Sequence, residues 1–256
     1  MKITILTLFP DMFDGFLNTS IIKKARLKDL VDIQIVDFRK HTNDKHTRVD
    51  EYPFGGGQGM VLMCQPLLDC LRYVRKPESH VILMEPSGTT FSQKKARELS
   101  KMDDIIIMCG HYEGYDARIA EYVDEEISIG DYILTGGELG SMVVTDAIVR
   151  LLRGVIADDS SVDESFENDL LEYPQYTRPI DYEGKIVPEV LLSGHHENIR
   201  KFRLKESLKK TLRRRLVFSF SSLAKSLPFP LLTGYFLLST PDFSVRCGLF
   251  CGATPF

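Results

Sequence analysis

The chain has 256 residues, 43% of them hydrophobic and 27% charged, with a formal net charge of −4. That balance suits a soluble globular protein and excludes a wholly disordered chain, a collagen-like repeat or a coiled-coil rod. Five cysteines (Cys64, Cys70, Cys109, Cys247 and Cys251) without a C-x-x-C pair are too few and too scattered for a disulfide scaffold or a structural zinc site. At this length one large domain or two smaller ones can each bury a core.

The N-terminal MKITILTLFPDMF has only a short apolar run before Pro10 and Asp11. It reads as a first strand rather than a signal peptide, so the cytoplasm is the expected compartment. Further apolar runs at 33–38, 80–85, 105–109 and 126–129 predict strands buried on both faces, like the first at 3–9. Between them, 11–29, 66–74, 92–101, 116–122 and 138–152 have helical patterns. Ser92 and Asp116 suit N-caps, and Pro66 suits a first helical turn. The alternation predicts an α/β domain over 1–157 with a parallel sheet covered on both faces. A ligand would then sit in the loops at the carboxyl ends of the strands.

Residues 158–172 break this pattern with seven acids and three serines, predicting a flexible acidic linker of the kind that orders on binding. Prolines 174, 179 and 188 punctuate the next stretch, and a helical pattern resumes near Glu197, predicting a small second domain over 173–215. Between His195 and Arg215, nine Lys and Arg face two acids, a local charge of +7 that leaves −11 for the rest. Such a block fits a polyanion or a solvated helix face, and the block alone does not decide between them. Residues 216–256 hold only three charges, Lys225, Asp242 and Arg246. Their longest uncharged run, 226–241, is broken by Pro228 and Pro230 and falls short of a membrane span. The composition fits an out-of-frame tail better than a third module, and no function is assigned to it.

Four loops are unusually polar or glycine-rich. Tyr52 to Met60 contains Gly55-Gly56-Gly57 and Gly59, matches neither a Walker A loop nor G-x-G-x-x-G, and on glycine content alone needs no role beyond flexibility. Met84-Glu85-Pro86-Ser87-Gly88, the run from Cys109 to Asp116 and the run from Ser128 to Leu139 each follow an apolar strand. Three such loops at neighbouring strand ends predict one continuous pocket. Cys109 has no nearby base and reads as a structural thiol. His41 and His46 lack metal-site spacing and read as solvated. Ser193-Gly194-His195-His196 lacks the strand–Ser–helix elbow of a hydrolase.

Taken in order, the motifs resemble the bacterial tRNA (guanine-N1)-methyltransferase family, the TrmD family of the SPOUT class. The matching stretches are LFPDMF at 8–13, Arg48-Val49-Asp50 with GGGQGM at 55–60, and CGHYEG at 109–114. Ile129-Gly130-Asp131-Tyr132, TGGEL at 135–139, Tyr176-Thr177-Arg178-Pro179 and Leu191-Leu192-Ser193-Gly194 follow, so the likeness covers roughly 1–215.

The resemblance implies a deep trefoil knot in the catalytic domain, a feature almost absent from proteins, with a small, mainly helical C-terminal domain. It implies a homodimer with an active site shared between subunits. The implied reaction moves a methyl group from S-adenosyl-L-methionine to N1 of guanosine 37, in tRNA with guanosine at 36 and 37. Magnesium is implied as well, though no ligand cluster for it is visible in the sequence.

The cofactor would be held by Leu83, Glu85, Pro86, Ser87 and Gly88; by Gly110, Tyr112, Glu113 and Gly114; by Ile129, Gly130, Asp131, Tyr132, Ile133 and Leu134; and by Gly136 and Gly137. Arg150 is implied as the cation opposite the guanine O6. The general base is implied at Glu164, before Ser165-Phe166, where the family has Asp; Asp163 is the fallback and Asp169 a further candidate. His111 stands where an Arg is common. The basic segment becomes a tRNA surface. Two alternatives remain: a related knotted methyltransferase with another RNA target, and an RNA-binding protein whose catalysis is impaired.

Overall fold

In a computed structural model of the protein, which describes residues 1–156, 165–166 and 170–215, the apolar runs form a five-stranded parallel sheet. The strands are β1 (Lys2–Thr7), β2 (Asp32–Asp37), β5 (His80–Thr90), β6 (Asp104–Cys109) and β7 (Glu125–Ser128), in the order β2-β1-β6-β5-β7. A short hairpin, β3 (Asp50–Glu51) with β4 (Val61–Leu62), lies between β2 and β5 in sequence. All six residues of the central strand β6 are buried. Ile105, Ile107 and Cys109 pack into one core with Ile3, Ile5, Phe13 and Val144. Ile106 and Met108 pack into a second core with Leu6, Phe38, Leu67 and Ile119. Both faces of the sheet are therefore covered, which is why its strands read as continuous apolar runs instead of alternating ones.

The helices are α1 (Asp14–Leu17), α2 (Ser20–Leu27), α3 (Cys64–Val74), α4 (Gln93–Leu99) and α5 (Glu138–Val149). The Ser92 hydroxyl accepts from the Lys95 amide, an N-cap as the sequence suggests. The single helix predicted over 11–29 is instead a 3₁₀ turn, Pro10–Phe13, followed by α1 and α2. At the break, Asn18 Nδ2 donates to the Asp14 carbonyl at 2.8 Å and Thr19 Oγ1 donates to the Gly15 carbonyl at 2.7 Å. The Thr19 side chain thus takes the carbonyl that a continuing helix would have used, while the Asp14 carbonyl also accepts from the Asn18 amide. Over 116–122 the chain is also 3₁₀ rather than α, with the Asp116 carboxylate accepting from the Arg118 amide.

Strand β5 pairs with β7 in two registers. Met84 and Thr89 both stand opposite Ile127, so residues 85–88 leave the ladder. This excursion brings the Glu85–Pro86 segment to the mouth of the sheet.

At the amino end of β7, Glu125 accepts from His80 Nε2 at 2.7 Å and pairs with Lys95 Nζ at 2.9 Å. Burial raises the Glu125 carboxyl, but the bonds from Lys95 and His80 outweigh burial and leave it below the ordinary carboxylate value. A depressed pKa stabilises the fold above the unfolded value and is lost as pH falls. Lys95→Met is therefore expected to lower the urea midpoint at pH 7 and to flatten its decline below about pH 4–5. Urea unfolding between pH 3 and 7 checks this, and an acid-side slope unchanged from wild type would contradict it.

The chain divides into two compact units, Met1–Val162 and Asp163–Phe256. The described part of the second holds a hairpin, β8 (Asp181–Tyr182) with β9 (Lys185–Ile186), and two helices, α6 (Glu189–Leu192) and α7 (His196–Arg214). Of the segment predicted as a linker, 158–164 and 167–169 lie outside the described residues, as does the tail 216–256. Its last residues sit along α7: the Leu171 amide donates to Thr211 Oγ1 at 2.8 Å, and Lys210 Nζ donates to the Glu172 carbonyl at 2.9 Å. Among the described residues no helix is long and apolar enough to cross a membrane.

Candidate active site

The loops that follow β5, β6 and β7 meet around one cavity of about 380 Å³, within the range of small-molecule sites. Glu85 and Pro86 come from the β5 excursion. Gly110, Tyr112, Glu113 and Gly114 come from the loop after β6. Ile129, Gly130, Tyr132, Ile133, Leu134, Gly136 and Gly137 come from the loop between β7 and α5.

Four of the predicted residues are not on this wall. Leu83 points to the opposite face of β5 from Met84 and is 3% exposed in the core beside Ile106 and Met108. Ser87 and Gly88 line a separate depression with Glu126, where β5 rejoins the ladder. A Cβ on Gly88 would lie 2.6 Å from the Ile127 amide nitrogen, so glycine there serves strand packing. Asp131 is exposed outside the cavity.

The wall also includes Met84, His111, Tyr115, Ile127, Ser128, Thr135 and Gly140, which the sequence reading did not assign to cofactor binding. Gly140 lies in the first turn of α5, just past the loop that supplies Gly136 and Gly137 to the wall.

Glycine is required here by close approach of backbone to backbone. The Gly137 amide donates to the Gly110 carbonyl at 2.8 Å. A Cβ on Gly137 would stand 2.9 Å from Cys109 Cα and 3.0 Å from the Gly110 nitrogen. A Cβ on Gly110 would meet the Tyr115 ring at 2.6 Å. That ring is locked in place, since the buried Tyr115 hydroxyl donates to the Met108 carbonyl at 3.0 Å and burial pushes its pKa up. Cys109 is 1% exposed, and burial raises its thiol far out of the reactive range, in keeping with a structural role.

A buried carboxylate supports the floor. Glu138, the first residue of α5, is 2% exposed and accepts from Thr7 Oγ1 at 2.8 Å. Its other oxygen lies 3.9 Å from His111 Nδ1, which is itself buried with no hydrogen-bond partner among the described residues. An anion is favoured at this helix N-terminus. The His111 ring is further held by Phe9 at 4.7 Å and by the Tyr112 ring edge at 5.3 Å. Glu85 is half-buried, and burial, with the neighbouring Glu126 charge, raises its carboxyl. The wall thus carries Glu85, Glu113 and His111 but no Lys or Arg among the described residues. Such a lining suits a ligand with positive charge better than a nucleotide phosphate.

Arg150 stands at the far end of α5, at its C-cap, about 18 Å along the axis from Glu138. The structure therefore does not bring it to the cavity. It shares a stripe of α5 with Leu139, Val143 and Asp146, at helical spacing. Leu139 and Val143 are each 48% exposed. Glu164, Asp163 and Asp169 lie outside the described residues.

The profile of the family described as tRNA (Guanine-1)-methyltransferase TrmD matches residues 1–219. A tRNA (guanine-N(1)-)-methyltransferase of Geobacillus kaustophilus is 55% identical over 219 residues, which span 84% of this chain and 90% of the relative. The enzyme of the same name from Halalkalibacterium halodurans is 54% identical over 220 residues, 84% of this chain and 89% of the relative. One from Bacillus cereus strain AH820 is 55% identical over 220 residues, 84% and 90%. With a profile match across the sheet, the cavity loops and the basic helix, and relatives this similar over nearly their whole length, the chain belongs to the tRNA (guanine-1)-methyltransferase family, TrmD.

Proposed function

We propose that the protein transfers a methyl group from S-adenosyl-L-methionine to N1 of guanosine 37 in cytoplasmic tRNA that carries guanosine at 36 and 37. The observation that carries this reading is the glycine-walled cavity at the ends of β5, β6 and β7, in a chain of this family. Its close backbone approaches leave no room for extra Cβ atoms. Gly110, Ile129, Ile133, Leu134 and Gly137 would flank the nucleoside. Glu85 and Glu113 would face the positive part of the molecule. Bound there, S-adenosyl-L-methionine supplies an electrophilic methyl on a sulfonium centre. The family relation also supports a deep trefoil knot at these loops.

Guanine N1 carries a proton that must leave as its bond to the methyl carbon forms. Glu164 takes that proton. Arg150 faces the charge that grows on O6. Because α5 carries Arg150 away from its own cavity, the cation comes from a second copy of the chain. Leu139 and Val143, exposed on the Arg150 stripe, are apolar side chains suited to that homodimer. The Lys and Arg of α7 would hold tRNA phosphates. Among the described residues no group of three or more His, Cys, Asp or Glu is placed to hold a metal such as magnesium.

Glu164→Gln tests the base. Cofactor affinity, read by calorimetry, is expected to stay at the wild-type level while transfer of labelled methyl to tRNA falls about 100-fold or more. Full activity in this variant would remove Glu164 from the role and pass it to Asp163.

A further inference from the structure

We propose that the basic segment 39–48 and the glycine loop 52–60 form one track for unpaired nucleotides of the tRNA anticodon loop, with Phe54 as a stacking platform for a base outside the cavity. The proposal rests on the reading of the protein as a tRNA methyltransferase. The two segments flank strand β3 and are fixed at both ends. On the entering side, Val49 is fully buried and its carbonyl accepts from the Met63 amide at 2.8 Å. On the leaving side, the Glu113 amide donates to the Met60 carbonyl at 3.0 Å, and a Cβ on Gly59 would run into the Glu113 side chain. Glu113 lines the cavity, so the loop is tied directly to the site of chemistry.

Phe54 at the loop tip is fully exposed, and Tyr52 is 74% exposed. Gly55 and Gly56 have φ of +87° and +79°, yet a Cβ at either would meet nothing within 4 Å. Their glycine identity therefore serves the turn that presents the aromatic rings, not packing. Ahead of these rings in the sequence, residues 39–48 hold Arg39, Lys40, His41, Lys45, His46 and Arg48 against a single acid, Asp44, with Asp50 and Glu51 following in β3. That acid is occupied locally: it accepts from the His46 amide at 2.7 Å and from Arg48 at 2.9 Å, and the Arg48 guanidinium holds its carboxyl at about 2. Lys40, Lys45 and His46 remain exposed. Cations for the backbone beside aromatic faces for the bases are what single-stranded RNA requires. In a chain that is acidic outside α7, this cationic stretch leads into the cavity loops.

The test compares full-length wild type with Phe54→Ala, Phe54→Trp and Lys40→Ala/Lys45→Ala, reading the dissociation constant for unmodified tRNA, the cofactor dissociation constant and the mass in solution. Phe54→Ala is expected to weaken tRNA binding about 10-fold and Phe54→Trp to restore it. The double lysine variant should lower the slope of log affinity against log salt by about 0.7 per lysine. Cofactor affinity and mass should stay unchanged throughout. Wild-type tRNA affinity in Phe54→Ala would overturn the proposal, and so would a change of mass, which would place the loop in a subunit interface. Because these readouts are binding constants, a wild-type protein that bound tRNA through Phe54 but transferred no methyl would count against the proposed activity and not against the track.

Discussion

Replacing Arg150 by alanine is expected to lower turnover about 100- to 1,000-fold while leaving cofactor affinity and the mass in solution unchanged. Arg150 ends α5 about 18 Å from the residue that opens the helix at the cavity floor. In the proposed homodimer a neighbouring copy, packed on the stripe shared by Leu139, Val143 and Arg150, delivers its guanidinium to the cavity. Mixing Arg150→Ala subunits with Gly137→Val subunits separates the two arrangements. With a shared site, the mixed dimer keeps one intact cavity served by one intact arginine, and a random mixture should recover about one quarter of wild-type activity. No recovery would mean that the arginine serves its own subunit or acts structurally. Equal losses of turnover and cofactor affinity in the single variant would also assign it a structural role.

The second large effect is expected at Gly137. Alanine there places a methyl group 2.9 Å from Cys109 Cα and 3.0 Å from the Gly110 nitrogen, and neither backbone atom can yield without moving β6. The hydrogen bond from the Gly137 amide to the Gly110 carbonyl would open, and with it the joint between the two loops that form the wall. Cofactor binding by Gly137→Ala is expected to weaken about 100-fold or more, because a displacement of about 1 Å suffices to disturb a preorganised site. Gly15→Ala, whose Cβ would meet nothing within 4 Å, serves as the control and should bind normally. Calorimetric titration with S-adenosyl-L-methionine reads both, and wild-type affinity in Gly137→Ala would contradict the assignment of the cavity.

The parallel sheet was legible because burial on both faces writes itself as uninterrupted Ile, Leu and Val. The two-residue strands β3, β4, β8 and β9 carry too few residues to show any period. The break between α1 and α2 depends on Asn18 and Thr19 turning back to carbonyls, a choice that periodicity does not record. The cavity loops were legible from their position after apolar strands. Which of their residues face inward was less so: Leu83 and Met84 differ only by the alternation of β5, and the return of Gly88 to the ladder depends on a register shift. His111 drew notice only as a departure from Arg, whereas its approach to Glu138, which in turn accepts from Thr7, joins residues far apart in sequence. Arg150 could be assigned a role by resemblance, but its distance from its own cavity emerges only when α5 is laid along the sheet.

The most direct test is transfer of labelled methyl from S-adenosyl-L-methionine to two unmodified tRNA transcripts, one with guanosine at 36 and 37 and one with adenosine at 36. Product is expected on the first alone, confined to N1 of guanosine 37. Tight cofactor binding with no transfer to either transcript would contradict it, leaving a protein that holds the donor and does not methylate this base.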